Sequence, residues 1–143
     1  MRTPLVALLI CLPSISFAQN YEQQIQYRQN AFSAIEKQAK VTNKALDKSQ
    51  PDWLLIESNS QELAQHAQNL TTLFPQGSEE GSKAKTAVWN KPEKFNQLLA
   101  QMEQGFQALY QASNHQDVSA ALAGLEQAQA TCKSCHRSYR SRW

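Results

Sequence analysis

The segment Cys132-Lys133-Ser134-Cys135-His136, near the end of the chain, constrains the fold more than any other feature of the sequence. Cys-x-x-Cys-His is the attachment signature of c-type haem. On a helix, positions i, i+3 and i+4 lie on one face, so the two thiols and the imidazole project together. The thiols can then add to the porphyrin vinyl groups while His136 ligates the iron. The motif therefore predicts a helix that carries covalent haem on one face.

The competing interpretations of this cysteine pair are a thioredoxin-like redox centre, half of a zinc site, and chance. A zinc site needs four ligands. A redox pair of the thioredoxin kind is expected in a β–α–β setting, of which the sequence shows no sign. Haem attachment is the interpretation that we favour.

The N-terminus has the pattern of a secretory signal peptide, residues 1–18. A short basic start precedes a mainly apolar stretch, and Ser16-Phe17-Ala18 is a small-x-small cleavage site. The apolar stretch is too short to span a membrane. Cleavage after Ala18 leaves residues 19–143, a single domain whose two cysteines both belong to the haem motif. We therefore predict a periplasmic protein.

Composition narrows both fold and function. The formal net charge is only +2, which does not suggest binding to nucleic acid or to an anionic membrane. Valine and isoleucine are scarce, whereas alanine, glutamine and leucine are frequent, which favours helix. The sequence has no carboxylate pair, nucleophile elbow or glycine-rich phosphate loop, so we predict that the protein is not an enzyme.

Apolar residues recur at helical spacing in four stretches, from about residue 20 to 43, 53 to 74, 95 to 109 and 118 to 139. We expect Ser49 and Asp52 to form a capping box at the second helix, and Asn90 to cap the third helix ahead of Pro92. Residues 75–90 form the one long connection. The pattern predicts an all-α, antiparallel four-helix bundle with haem on the C-terminal helix.

Several residues have no functional assignment from their pattern. Gly105 and Gly124 lie inside predicted helices, where glycine costs about 1 kcal/mol relative to alanine. Close backbone approach and tolerated surface positions explain them equally well. His66 and His115 fall outside the apolar stripes and are not expected to ligate iron, and Met102 is interpreted as a core residue.

Four segments resemble the cytochrome c′ family of class II c-type cytochromes. They are Tyr27-Arg28-Gln29-x-Ala31-Phe32, Phe74-Pro75-x-Gly77-Ser78, Ser82-Lys83-Ala84-Lys85-x-x-Val88-Trp89, and the haem motif extended to Tyr139-Arg140. The third departs from the family's usual Thr-Lys-Ala-Lys-Pro-Glu-Ile-Trp at Thr86 and Ala87. The resemblance implies one covalent haem c per chain and a homodimer formed through the first two helices.

The resemblance also implies roles for individual residues. His136 is the fifth iron ligand, and Cys132 and Cys135 are the thioether anchors. Arg28 pairs with a haem propionate, since a buried charge needs a partner; a snorkelling surface arginine is the alternative. Phe32 takes the distal position, which is compatible with core packing. Two weaker haem contacts are implied by position only, namely Gln29 and Ser82. Trp89 either lines the haem edge or anchors the loop.

The sixth iron position determines the expected function. A related low-spin group uses a methionine of the first helix there, but residues 19–143 contain only Met102, and Phe32 cannot ligate iron. We expect a five-coordinate, mostly high-spin iron that binds nitric oxide or, alternatively, carbon monoxide, and that can transfer electrons. The alternative is a plain periplasmic electron carrier with an unidentified redox partner.

Arg140 follows His136 by four residues, hence one helical turn. On a continuous helix its guanidinium would lie over the proximal side of the haem and weaken the iron–imidazole bond. The alternative is that Arg140 caps the helix end, where the macrodipole favours a cation.

Overall fold

The computed structural model describes residues 21–142, which form five helices and no strand. They are α1 (Glu22–Leu46), α2 (Trp53–Leu70), α3 (Ala87–Asn90), α4 (Pro92–Asn114) and α5 (Val118–Tyr139). The four long helices form the predicted antiparallel bundle, so the fold class is confirmed. Within the same residues no helix is long and apolar enough to cross a membrane. The predicted signal peptide lies outside the described residues.

The starts of the helices differ in detail from the prediction. Asp52 is itself the N-cap of α2 and accepts a hydrogen bond from Leu55 N at 3.2 Å, so the capping box that begins at Ser49 is wrong. Pro92 begins α4 as expected, but the residue before it is the N-cap and makes no side-chain cap bond. Asn90 is instead the last residue of α3, whose single turn is too short to show a periodic pattern.

Helix α2 ends one turn earlier than its apolar stripe. The hydroxyls of Thr71 and Thr72 donate to the carbonyls of Gln68 and Asn69, at 2.7 and 3.0 Å. These local bonds satisfy carbonyls at the helix end and favour a turn over another helical turn. Phe74 therefore belongs to the segment between α2 and α4, residues 71–91, which we call the connection.

The two helical glycines explain how closely the backbones of α4 and α5 approach each other. A Cβ on Gly105 would lie 2.5 Å from Ala128 N, and a Cβ on Gly124 would lie 2.6 Å from Leu109 N. Close backbone approach, one of the two explanations left open by the sequence, is therefore the reason for both glycines. The α4–α5 contact anchors the core, whose fully buried side chains include Ile56, Leu63, Leu70, Phe106, Leu109 and Leu125.

Aromatic rings hold the connection against the end of the bundle. The Phe74 ring centroid lies 4.8 Å from that of Phe95 on α4, and the Phe95 centroid lies 5.2 Å from that of Tyr139 on α5. Trp89 Nε1 donates to the carbonyls of Phe74 and Pro75, at 3.2 and 2.9 Å. Trp89 thus anchors the connection, which was one of its two predicted roles.

Candidate haem-attachment site

The predicted attachment residues lie on the last two turns of α5, as the motif requires. Cys135 is half-buried and packs against the hydrophobic core, whereas Cys132 and His136 are exposed. Their helical spacing places the two sulfurs and the imidazole on neighbouring positions of one helix side. This part of α5 therefore presents its thiols and its imidazole together along one edge of the core.

The side of α5 that carries the motif faces α1. The pKa of Glu36, on α1, is lowered mainly by its hydrogen bond and ion pair with Lys40, and further by the charges of Arg140 and His136. The pKa of Cys132 is raised mainly by the partial desolvation of its thiol, and the carboxylate of Glu36 adds to this rise. Glu36 therefore acts electrostatically on the motif from the surface of α1, the helix that contacts α5 on this side.

Burial controls the chemistry of the thiols. It raises the pKa of Cys135 to about 11, with a smaller contribution from Cys132. Before any covalent attachment, both cysteines are therefore neutral thiols at neutral pH. Neutral thiols are weaker nucleophiles than thiolates.

The residues present fit a covalently attached haem. The donor set consists of two thiols one turn apart with an adjacent imidazole, which is what haem c attachment uses. In addition, α5 packs closely against α4 but only sparsely against α1. The motif thus lies at the sparser of the two contacts that α5 makes with the long helices α1 and α4.

Arg28 is buried, with 3% of its surface exposed, and its contacts are all to the connection. Its guanidinium donates to Leu73 O at 3.0 Å, to Ser78 Oγ at 2.8 Å and to Ser78 O at 2.6 Å. The guanidinium also lies over the Phe74 ring, 4.6 Å from the centroid. Burial lowers the pKa of Arg28, and the charge of Glu79 partly opposes this.

These contacts change the argument about Arg28. From the sequence alone, a propionate is expected beside Arg28 because a buried cation needs a partner. Carbonyl oxygens, a hydroxyl and an aromatic face, together with the charge of Glu79, already stabilise the guanidinium without a propionate. The snorkelling alternative is wrong because the side chain is enclosed. The pairing of Arg28 with a propionate stays a prediction.

The other predicted contacts occupy different surroundings. Phe32, on α1, is half-buried, packs against the core, and has its ring centroid 6.4 Å from that of Phe74. Gln29 is exposed on the same helix. Ser82 makes a local turn, in which its hydroxyl donates to Glu79 O at 2.9 Å and accepts from Ala84 N at 3.2 Å. The haem contacts of all three stay predictions.

Arg140 does not continue α5, so the helical reasoning about its position is wrong. The helix ends at Tyr139, and Arg140 has extended backbone angles, φ −114° and ψ 131°. It forms an antiparallel bridge with Ala84 of the connection. Lys85 N donates to Tyr139 O at 2.9 Å, and Ser141 N donates to Lys83 O at 2.7 Å. The bridge, rather than helix geometry, sets the position of Arg140.

Three residues near the site received no role from the sequence. Ser78 is 1% exposed and is the main partner of Arg28. Lys85 Nζ donates to Arg137 O at 3.0 Å at the end of α5. Glu36 lies opposite the motif on α1. Ser78 and Lys85 lie in the segments that resembled the family, which was the available signal, whereas nothing in the sequence pointed to Glu36.

A sequence model of the family described as Cytochrome C′ matches residues 23–140, which is most of the chain and includes every predicted site residue. The chain belongs to the cytochrome c′ family. The cofactor of this cytochrome c′ is covalently bound haem c.

Known cytochromes agree with this assignment. The cytochrome c′ of Rhodospirillum rubrum is 25% identical over 144 residues, which is 98% of this chain and 98% of that protein. Cytochrome c-554 of Cereibacter sphaeroides is 36% identical over 74 residues, but the match spans only 49% of this chain and 55% of that protein. The crystal structure of cytochrome c′ from Rubrivivax gelatinosus has a TM-score of 0.78 at 23% identity and covers 86% of this chain and 98% of its own.

Proposed function

We propose that this protein is a periplasmic cytochrome c′ that binds nitric oxide at a haem iron with one protein ligand. Cys132 and Cys135 anchor the haem, and His136 supplies the axial imidazole. The proposal is carried by the lack of a ligating side chain at the residue on α1 where the family resemblance would put a second ligand. That residue is Phe32, which has no donor atom, and Met102 is buried in the core on α4.

The surroundings of the iron decide which gas binds well. Haem supplies an iron centre that binds diatomic gases, and the distal side chains select among them. Phe32 offers no hydrogen bond to a bound ligand, which disfavours oxygen, a ligand that gains from such a bond. Nitric oxide binds haem strongly without one. Carbon monoxide is the second expected ligand.

A structural neighbour supports the choice of gas. One solved structure of cytochrome c′ from Alcaligenes xylosoxidans, with a TM-score of 0.77 and 22% identity, is a ferrous variant with bound NO. At that identity the likeness demonstrates a shared fold. It makes nitric oxide the first ligand to test.

The test is the absorption spectrum of the purified holoprotein, oxidised and reduced, with and without nitric oxide. We expect a high-spin ferrous spectrum that changes on addition of nitric oxide and, separately, of carbon monoxide. A low-spin spectrum unchanged by either gas would instead establish a plain electron carrier. The mass should equal residues 19–143 plus one haem, and acid–acetone should leave the colour with the polypeptide.

We also propose that Arg140 acts on the proximal side. Its charge acts on Glu36 together with that of His136, which supports a position near the imidazole. We expect ferrous protein with excess nitric oxide to give a five-coordinate adduct, and Arg140→Ala to accumulate more of the six-coordinate form. Electron paramagnetic resonance separates these by hyperfine splitting from the histidine nitrogen. Arg142→Ala, which also removes one exposed cation, is the control, and identical spectra for both variants would leave Arg140 without this role.

A homodimer through α1 and α2 completes the proposal. Large apolar side chains are exposed near the turn between these helices, with Val41 46% and Leu54 83% exposed. One neighbouring structure is described as a cytochrome c′ with ligand-controlled dimer dissociation. We expect the purified protein to sediment as a dimer and Leu54→Glu to sediment as a monomer. Leu122→Glu on α5, where the side chain is 39% exposed, is the control that should remain dimeric.

A further inference from the structure

Positive charge is concentrated at the C-terminal end of α5. Six cationic side chains are exposed there and on the part of the connection that forms the bridge; we call them the basic surface, and they are Lys83, Lys85, Lys133, Arg137, Arg140 and Arg142. Residues 81–91 and 127–142 contain no aspartate or glutamate. The remainder of the chain carries eight cationic side chains against twelve carboxylates, a net charge of −4. The net charge of the chain is therefore near zero although its charged side chains are distributed very unevenly.

The bridge makes one surface from two segments that are distant in sequence. The backbone bonds between residues 83–85 and 139–141 hold the connection beside the end of α5. The contact of Lys85 Nζ with Arg137 O adds a further link. Lys133 and Arg137 are four residues apart on α5, so they share a face next to the haem motif.

These charges are not neutralised within the described protein. The ion pair that residues 21–142 form is Lys40–Glu36, at 2.6 Å, and none of the basic surface takes part in it. The charge of Arg140 acts on Glu36, but that carboxylate is already engaged by Lys40. Side chains of like charge held together repel one another, and an anionic partner would relieve that repulsion.

We propose that the basic surface docks an acidic electron-transfer protein against the haem-bearing end of α5. Complementary charge steers such a partner to this end and raises the rate of association. In the docked complex one electron passes from the partner's redox centre, which is oxidised, to the haem iron, which is reduced from ferric to ferrous. The inference rests on the proposed haem attachment but not on gas binding.

An acidic protein fits this surface better than an anionic membrane does. Peripheral membrane binding combines cations with apolar side chains that enter the lipid interface. In residues 21–142 the exposed large apolar side chains are Tyr27, Val41, Leu54, Leu55 and Leu122. None of them belongs to residues 81–91 or 127–142.

The first test measures how salt affects electron exchange of the reduced holoprotein with ferricyanide, an anionic oxidant. We expect the rate to fall about tenfold between about 10 mM and about 1 M salt, since the Debye length shrinks from about 30 Å to about 3 Å. The double variant Lys133→Glu/Arg137→Glu should lose most of this dependence. Lys44→Glu/Lys48→Glu, which makes the same charge change at the far end of α1, should retain it. Equal behaviour of the two double variants would overturn the proposal.

The second test measures binding directly by calorimetry, with poly-L-glutamate as the acidic polypeptide. Wild-type holoprotein should bind it at low salt, and the Lys133→Glu/Arg137→Glu variant should not. If that variant fails to fold, Lys83→Glu serves instead, because the bridge uses only the backbone of Lys83. Vesicles of phosphatidylcholine with phosphatidylglycerol are the alternative probe. Wild-type binding to the vesicles without binding to poly-L-glutamate would overturn the proposal in favour of a membrane.

Discussion

Helix α5 meets its two neighbours in opposite ways. Against α4 it packs backbone to backbone, because Gly105 and Gly124 face each other's helices without side chains between them. Against α1 the contact is sparse, and it is bordered by Cys132, His136 and the ion pair of Glu36 with Lys40. We call these the closed contact and the open contact of α5.

The two contacts have different roles: the closed contact stabilises the fold, and the open contact carries the reactive side chains. The closed contact leaves no room for an added methyl group, so it fixes the position of α5 and hence of the motif. The open contact presents reactive side chains and is bordered by the bridge and the connection. The connection is itself held by the hydrogen bonds of Arg28 and Trp89 and by the packing of Phe74 on Phe95. Substitutions at the closed contact should therefore change stability, and those at the open contact should change the site.

The largest effect on the global stability of the bundle is expected at the closed contact, for Gly124→Ala. The new Cβ would lie 2.6 Å from Leu109 N and 2.8 Å from Gly105 O, and backbone atoms cannot rotate away. Overpacking of this kind costs about 1–3 kcal/mol, which outweighs the gain of about 1 kcal/mol in helix propensity at the upper end of that range. We expect the holoprotein to melt about 5 °C lower, with haem still attached.

The control for this variant is Gln127→Ala, at an exposed position of the same helix, which should melt close to wild type. An unchanged melting temperature for Gly124→Ala would mean that α4 and α5 separate without cost. In that case the contrast between the two contacts would disappear.

The next effect is expected at the connection, for Arg28→Leu. The change leaves Leu73 O, Ser78 O and Ser78 Oγ without their donor, which costs about 1–3 kcal/mol for buried acceptors. We expect amide hydrogen exchange in residues 73–78 of the holoprotein to accelerate. Gln29→Leu, at the adjacent exposed position, should leave that exchange unchanged. A shift confined to the haem reduction potential, with normal exchange, would restrict Arg28 to the propionate pairing.

The sequence could predict features that depend on local spacing, but not those that depend on contacts between distant residues. The four long helices and the motif followed from local spacing, because helical periodicity and the i, i+3, i+4 rule involve residues less than two turns apart. The hydrogen bond of Arg28 to Ser78 joins residues that are 50 positions apart, and the β-bridge joins Ala84 to Arg140. Such long-range contacts end helices and enclose charges without leaving a periodic signal. For the same reason the two glycines stayed ambiguous, since their neighbours belong to another helix.

A smaller effect is expected for Lys85→Ala at the edge of the open contact. The substitution removes the ammonium from Arg137 O in the last turn of α5 but keeps the backbone bond of Lys85 N to Tyr139 O. A cation at a helix C-terminus contributes about 0.5 kcal/mol at an exposed site. We expect slightly faster exchange of the Ser141 amide. Lys83→Ala, which removes a cation without removing a side-chain bond to α5, should leave it unchanged, and equal rates in the two variants would exclude this role for Lys85.

The last effect, which is absent at neutral pH, concerns the thiols of the haem-free, reduced chain, and it shows whether the open contact keeps its structure on its own. Burial raises the pKa of Cys135 from its ordinary value of 9.0 to about 11. A raised folded-state pKa contributes stability below the ordinary value, and that contribution is lost as the pH rises towards 11.

We therefore expect the Cys132→Ser chain, in which Cys135 is the one thiol of residues 19–143, to react with an aromatic disulfide reagent at a rate that climbs until about pH 11. Its stability in urea should fall over the same interval, from about pH 9 upward. The Cys135→Ser chain is the matched control: its exposed Cys132 should react faster at every pH and show a weaker loss of stability. If Cys135 titrated near pH 9 instead, its thiol would be hydrated in the haem-free chain. The end of α5 would then pack against the core only after haem is attached, and the open contact would be a product of attachment rather than a preformed site.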